Sequence, residues 1–407
     1  MNARRVHVPS LLGSPGIRPA QTPRRRFLFA VPPLTGHVNP TVALGDELAR
    51  RGHKVAWTGH RATLEPLLRP GSRILSAVDR DFAARLPGMW DTWLRLRGVA
   101  AFRHQWEEFA VPLGHAMVPG VEKAVDRFRP DVVVSDEIVL AAPVAARRRG
   151  IPWATSLVTP TELTRPLAHL PKVEEWVRGL IDGFQLAHGI DDLLDLRFSD
   201  HLVLVFSSEA LMGDLSCFPD HFAFVGPALG RPGGSTFPWE WLDGRPAVLV
   251  SLGTLHARSG ARFFATAAEA VRDLDVQAVI AAPSGTVADP PPNVLVREHV
   301  PQLKLLERLS AVVCHGGHNT VCESLSKGLP LVIAPIRDDQ PAVARQVEAA
   351  GAGVTVRYAR VRPDELRAAL ATVLADGPHR AAAERVRDSF AASGGAAEAA
   401  DRLEKLA

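Results

Sequence analysis

The sequence predicts an α/β protein of two doubly wound domains, each a parallel sheet with helices on both faces. Three observations carry that expectation. Short apolar runs alternate with amphipathic or Ala/Arg-rich stretches along almost the whole chain. The alternation stops once, in a segment dense in glycine and proline, and then restarts. At 407 residues, with 46% apolar side chains, the chain is long for a single core and ample for two.

The chain opens on a leader, residues 1–26, with six arginines (Arg4, Arg5, Arg18, Arg24, Arg25, Arg26) and no acid. The whole chain carries 47 Lys+Arg against 44 Asp+Glu, a net +3, so taking away those six charges leaves the body at −3. The basic balance therefore gives no ground for a nucleic-acid or membrane-surface partner. The leader's apolar patch, 8–12, is broken by Pro9 and followed by Gly13. It reads as a disordered extension or a misplaced start codon, not as a secretory signal.

Residues 27–225 form the first α/β series. Compact apolar runs at 27–31, 54–57, 131–135, 152–156 and 202–206 suit buried parallel strands. Stretches 40–51, 103–127 and 138–149 read as helices, the last stopping at Gly150. Segment 226–246 holds Gly226, Gly230, Gly233, Gly234 and Gly244 among Pro227, Pro232, Pro238 and Pro246, and reads as the interdomain linker. The second series occupies 247–385, with strands expected at 247–251, 277–281, 294–296, 311–314, 331–334 and 353–356. Residues 386–407 are expected to form a helix that packs back toward the first domain. Cys217, Cys314 and Cys322 make neither a metal-ligand pattern nor an even disulfide set, which points to a reducing cytoplasm. No apolar run approaches the roughly 18–20 residues of a membrane span.

Two segments carry chemistry. The first, Pro32-Pro33-Leu34-Thr35-Gly36-His37-Val38-Asn39-Pro40, follows the first strand and opens a helix. It is not a G-x-G-x-x-G fingerprint, and no G-x-x-x-x-G-K-[ST] loop occurs, so NAD binding and NTP hydrolysis recede. His37 at a strand's carboxyl end can take a proton from a hydroxyl near neutral pH. Asp136, closing the run 131–136, can hold one ring nitrogen and stabilise the imidazolium. A capping or core role for His37, and a helix N-cap for Asp136, stay open at this point.

The second segment is the more specific. Residues 298–302 read Glu-His-Val-Pro-Gln; then comes His315-Gly316-Gly317-His318-Asn319-Thr320, with Glu323 one turn on, and Asp339-Gln340 after the next strand. Two glycines between a strand and a helix let backbone N–H groups and the positive helix end approach a diphosphate. Together, 36–40 and this block resemble the family 1 glycosyltransferases, the GT-B enzymes that include plant UDP-glycosyltransferases and bacterial natural-product glycosyltransferases. The resemblance covers 27–400. It implies two Rossmann-like domains facing across a cleft, with acceptor in the first and donor in the second.

Residue by residue, the resemblance makes His37 the general base and Asp136 its orienting acid. It places Ser251, Gly253 and Thr254 on the donor phosphates, His299 on the face of the nucleobase, and Val300 and Gln302 on its edge through the backbone. His315, Gly316, Gly317, Asn319 and Thr320 become the diphosphate site, Glu323 the ribose site, and Asp339 with Gln340 the sugar site. The implied reaction inverts the anomeric centre. No carboxylate-rich D-x-D metal site is evident, so no metal or other cofactor is expected beyond a UDP- or dTDP-sugar co-substrate. The aromatic stretch 89–117 offers Trp90, Trp93, Phe102 and Trp106 as acceptor-site candidates, or as core. The expected substrate pair is therefore a hexose donor, glucose favoured, and a hydrophobic small-molecule acceptor: a polyketide, macrolide, aromatic or carotenoid aglycone. A deoxysugar transferase, a sugar-nucleotide epimerase and a non-catalytic nucleotide-sugar binding protein are the alternatives. A monomer or homodimer without stable membrane anchoring is expected.

Overall fold

The computed structural model describes residues 23–159, 163, 170–230, 236–257 and 259–407. Most of the basic leader, 1–22, and residues 231–235 of the linker lie outside the described residues. Among the described residues the strands form two sheets, every pairing parallel.

The first sheet comprises β1 (Arg26–Ala30), β2 (Lys54–Gly59), β3 (Ile74–Ser76), β4 (Val132–Asp136), β5 (Trp153–Leu157), β6 (Val203–Val205) and β7 (Phe222–Phe224). Their spatial order is β3-β2-β1-β4-β5-β6-β7. The connecting helices are α1 (Thr35–Arg50), α2 (Arg61–Leu64), α3 (Arg80–Arg95), α4 (Gly98–His104), α5 (Val111–Phe128), α6 (Ala141–Arg147), α7 (Pro171–Ala187) and α8 (Glu209–Met212). A π-helical turn, Gln105–Ala110, joins α4 to α5. Alternate residues of β1 and β4 serve opposite faces. Leu28, Ala30 and Val133 join the core containing α5 and α7, while Phe27, Phe29, Val132 and Val134 join the core containing α1. That two-sided burial is why these strands read as unbroken apolar runs.

The second sheet comprises β8 (Ala247–Ser251), β9 (Gln277–Ala281), β10 (Val294–Arg297), β11 (Ala311–Cys314), β12 (Leu331–Ile333) and β13 (Gly353–Thr355), ordered β10-β9-β8-β11-β12-β13. Its helices are α9 (Gly253–His256), α10 (Ala261–Val271), α11 (Gln302–Leu305), α12 (His318–Leu325), α13 (Gln340–Ala349), α14 (Pro363–Leu374), α15 (Pro378–Ala392) and α16 (Gly395–Leu406). In each sheet the order reverses beside the first strand, between β1 and β4 and again between β8 and β11. Ligands of open α/β sheets bind at such reversals, outside the carboxyl ends of the strands. The turns after β1, β4, β8 and β11 all carry residues singled out from sequence.

The structure corrects several expectations. The first helix opens at Thr35, not Pro40, so His37 lies within its first turn. The edge strands β3 and β7, each three residues long and only partly buried, lie outside the expected strand runs. The C-terminal boundary falls later than 386. α15 still belongs to the second core through Ala382, Ala383, Val386 and Phe390, and the chain crosses over at Ser393–Gly395. α16 then buries Ala399, Ala400 and Leu403 against Phe27 and Phe29. Glu404 fastens it, accepting from Arg51 at 3.1 Å and pairing with His53 at 2.7 Å. No helix among the described residues is long and apolar enough to cross a membrane.

One close approach makes a sharp test of this packing. A Cβ on Gly120, in α5, would stand 2.4 Å from the Cα and carbonyl oxygen of Ala77, and backbone atoms cannot yield as a flexible side chain does. Gly120→Ala is expected to destabilise the first domain by about 2 kcal/mol, measured by urea unfolding.

Candidate active site

The site begins with an orphaned carbonyl. Pro40 has no N–H to offer the Gly36 carbonyl four residues before it in α1. That carbonyl instead accepts from Asn319 Nδ2 at 2.7 Å, across the cleft from the start of α12. One bond therefore ties the turn holding His37 to the turn expected to hold the diphosphate.

His37 Nδ1 lies 2.8 Å from Asp136 Oδ2 and 3.8 Å from Glu137 Oε1. Asp136 is buried at the end of β4, and its Oδ1 also accepts from the Ile138 N–H at 3.2 Å, so it caps the local turn and holds the histidine together. Glu137 accepts from the N–H groups of Val158 and Thr159, each at 3.2 Å. The His37 side chain keeps 18% of its surface exposed, and Nε2 is the nitrogen left for a substrate. Burial opposes the imidazolium, but the charges of Asp136 and Glu137, the Asp136 hydrogen bond and the more distant Asp339 outweigh it and raise the pKa to about 9. Burial, then the Asp136 charge, pushes Glu137 far above the usual carboxylate range. The three side chains present ligand atoms within 4.8 Å of one another, so the set also has the shape of a cation site.

Across the cleft, the His315 ring is held between two backbones. A Cβ on Gly253 would come within 2.7 Å of it, and one on Gly317 within 2.6 Å, so only glycine fits on either side. Burial lowers the His315 pKa to about 4, and its Nδ1 has no partner among the described residues. Ser251 is buried and accepts weakly from the Gly253 N–H at 3.4 Å. The backbone of Thr254 lies in α9, and its side chain lies outside the described residues. Gly316 packs against Ile333 and Gln340 with φ of +89°. No side chain caps α12, whose first turn also carries the half-buried Thr320.

Farther along, Gln302 Nε2 donates to Glu323 Oε2 at 2.5 Å, joining the expected base and ribose residues. Val300 is half-buried and His299 exposed just past β10. Asp339 lies close enough to act electrostatically on His37, which brings the expected sugar residue to the expected base. Gln340 is mostly turned inward. Its Oε1 accepts from the N–H groups of Ile336 at 2.9 Å and Arg337 at 3.1 Å, which leaves Nε2 as its outward group.

The aromatic candidates divide. Trp106 is 1% exposed and Trp93 is buried, both within the first core; this corrects the acceptor expectation for them, because α3 and the π turn close over each other. Trp90 stacks on Trp93 at 5.4 Å and Phe102 meets Trp176 at 6.1 Å, and both remain half-buried. Sequence reasoning passed over Glu137, Pro40, His256 and Arg337. It also passed over His318, whose Nε2 reaches the Phe206 carbonyl at 3.1 Å and pins the two domains together. The acid pair 136–137 and the four-residue spacing from Gly36 to Pro40 were the available signals.

A family model described as erythromycin biosynthesis protein CIII-like, C-terminal domain, matches residues 265–406. The chain is 29% identical to 4'-demethylrebeccamycin synthase of Lentzea aerocolonigenes, an alignment covering 94% of this chain and 99% of the relative. It is 25% identical to an NDP-glycosyltransferase of Bacillus subtilis, covering 91% and 95%. Among solved structures, the calicheamicin glycosyltransferase CalG4 superposes with a TM-score of 0.77 at 25% identity, covering 94% of this chain and 98% of that one. The fold and the paired turns define a GT-B glycosyltransferase. These similarities all point to the family 1 glycosyltransferases of natural-product biosynthesis.

Three outcomes follow from the geometry. The base role expected of His37 needs a neutral ring, and His37 is held protonated up to about pH 9, so kcat/KM for sugar transfer should climb about tenfold per pH unit and level off near 9. Asp136→Asn should move that inflection down by at least about one unit and lower the plateau, read from a pH–rate profile. Asn319→Ala removes one exposed hydrogen bond, worth about 1 kcal/mol. It should lower kcat/KM roughly fivefold with little change in melting temperature.

Proposed function

We propose that the protein transfers a hexose, glucose favoured, from a UDP- or dTDP-sugar to a hydroxyl of a hydrophobic small molecule, with inversion. The observation that carries this reading is the 2.8 Å bond between His37 Nδ1 and Asp136 Oδ2 at the mouth of the cleft. A binding module needs no such pair, and an epimerase needs no base facing an acceptor.

In this reading His37 Nε2 takes the acceptor's hydroxyl proton while that oxygen attacks the anomeric carbon. The bond from that carbon to the β-phosphate oxygen breaks on the opposite side, and the nucleoside diphosphate leaves with the electron pair. Asp136 stabilises the imidazolium. Thr320, His315 and the N–H groups at the start of α12 receive the charge that develops on the diphosphate. A single displacement turns an α-linked donor into a β-glycoside. Glu323 and Gln302 take the nucleoside, Asp339 and Gln340 the sugar. Trp90 and Phe102 keep aromatic surface for the acceptor, while Trp93 and Trp106 brace the wall behind them.

The test is incubation with UDP-glucose and dTDP-glucose against a panel of aromatic, macrolide, polyketide and carotenoid aglycones. Products are followed by mass spectrometry, and the anomeric proton coupling reads the stereochemistry. His37→Ala should reduce turnover by about 10²–10⁴-fold. Undiminished turnover in that variant would remove the assigned base.

A further inference from the structure

Buried arginines are normally satisfied by acids. Two arginines are buried among the described residues, Arg197 and Arg337. Arg197 meets both Glu174, at 2.5 Å, and Asp195, at 2.8 Å. Arg337 is different. Its side chain is 2% exposed, its Nε donates to Asp338 Oδ2 at 2.8 Å, and neither terminal nitrogen, Nη1 or Nη2, has a partner among the described residues.

The surroundings leave further buried groups unmatched. Arg337 stands in the loop between β12 and α13, two residues before Asp339, and Gln340 Oε1 fixes its backbone N–H. Its guanidinium carbon lies 5.9 Å from the ring of Trp93, which comes from α3 of the first domain, and the Trp93 Nε1–H is itself unpartnered. His256, at the end of α9, is 5% exposed with neither ring nitrogen partnered, and it feels the Arg337 charge. Its ring lies 5.8 Å from that of His315. Elements of both domains thus converge on a buried cation whose two terminal nitrogens have no partner among the described residues.

The chemistry of that fork limits what fills it. Two parallel N–H groups of a planar guanidinium match the two oxygens of a carboxylate. Hydroxyls of a neutral sugar bring no charge, and the diphosphate has its own turn around His315. Resting on the transferase reading above, we propose that Arg337, seconded by His256, forms a carboxylate-binding site at the sugar end of the cleft. One substrate therefore carries an acid, either as a uronosyl group on the nucleotide sugar or as a carboxylate on the acceptor.

Two arms separate the sources. In the first, UDP-glucuronate is compared with UDP-glucose, using 2-naphthol as acceptor. In the second, 6-hydroxy-2-naphthoate is compared with 2-naphthol, using UDP-glucose as donor. The wild type should favour the acidic member at least tenfold in kcat/KM in one arm, which names the source. Arg337→Gln should reduce that ratio at least tenfold, and Arg337→Lys should restore part of it, with melting curves confirming that both variants fold. No acidic preference in either arm overturns the proposal. So does a ratio unchanged in Arg337→Gln, including the case where all pairs fall together, the result expected of a phosphate contact or a scaffold role. A wild type that binds neither UDP nor dTDP by calorimetry overturns the transferase reading itself, and this proposal with it.

Discussion

The cleft depends on a carbonyl that its own helix cannot satisfy. Proline in the second turn of α1 strips Gly36 of its helical donor and leaves that exposed carbonyl to another partner. Here the partner is Asn319, 283 residues away, in the first turn of α12. His37 and Asn319 therefore sit on two helix starts that face each other at a fixed spacing. Behind them the domains touch again where His318 reaches the Phe206 carbonyl, and where the chain crosses back at 393–395 to dock α16 on α1. The mouth of the cleft is held by one exposed hydrogen bond and its rear by buried packing.

The aromatic block of α3 and α4 then has a structural logic beyond the acceptor. Trp93 is buried among Trp90, His104 and Phe109, with ring separations of 5.4, 6.1 and 5.5 Å. This stack props α3 so that it reaches the second domain and lies beneath the Arg337 guanidinium. The first domain thereby helps to build the sugar end of the cleft. Only the half-buried Trp90 and Phe102 stay at the margin of the block.

Much of this was legible in sequence, for identifiable reasons. Central parallel strands are buried on both faces, so β8, β9 and β11 appear as continuous apolar runs with their ends where the structure puts them. Ile74–Ser76 and Phe222–Phe224 do not stand out, because three residues are too few to mark a strand even where, as in Phe222-Ala223-Phe224, all are apolar. Pro40 suggested a helix start, since proline favours the first helical position, yet here it serves by withholding a donor inside the helix. Trp106 shows a different limit: its spacing fits a pocket wall as well as a core, and only burial decides. Arg337, in a loop, and His256, closing a short helix, look ordinary in sequence. What distinguishes them is burial with polar nitrogens left unpartnered among the described residues, which is a property of the folded chain alone.

The histidines of the cleft show how far surroundings set their chemistry. His37, beside Asp136 and Glu137, is raised to about 9, whereas His315, desolvated against two glycines, is lowered to about 4. His256 falls to about 4 as well, through burial first and then the Arg337 charge. At pH 7 the ligand-free cleft thus holds one imidazolium on the acid-lined first domain and two neutral rings near a buried guanidinium on the second. In the proposed reaction an anionic donor entering the second domain meets N–H donors and the Arg337 guanidinium, with the carboxylates standing at its two ends, Glu323 at the ribose and Asp338 and Asp339 at the sugar. Asp136 and Glu137 lie against His37, whereas the turn around His315 expected to hold the diphosphate carries no acid of its own, and that contrast gives the cleft its polarity. It arises from the local neighbours of each side chain, while the body's net charge of −3 outside the leader has the opposite sign to what an anion-binding protein would suggest.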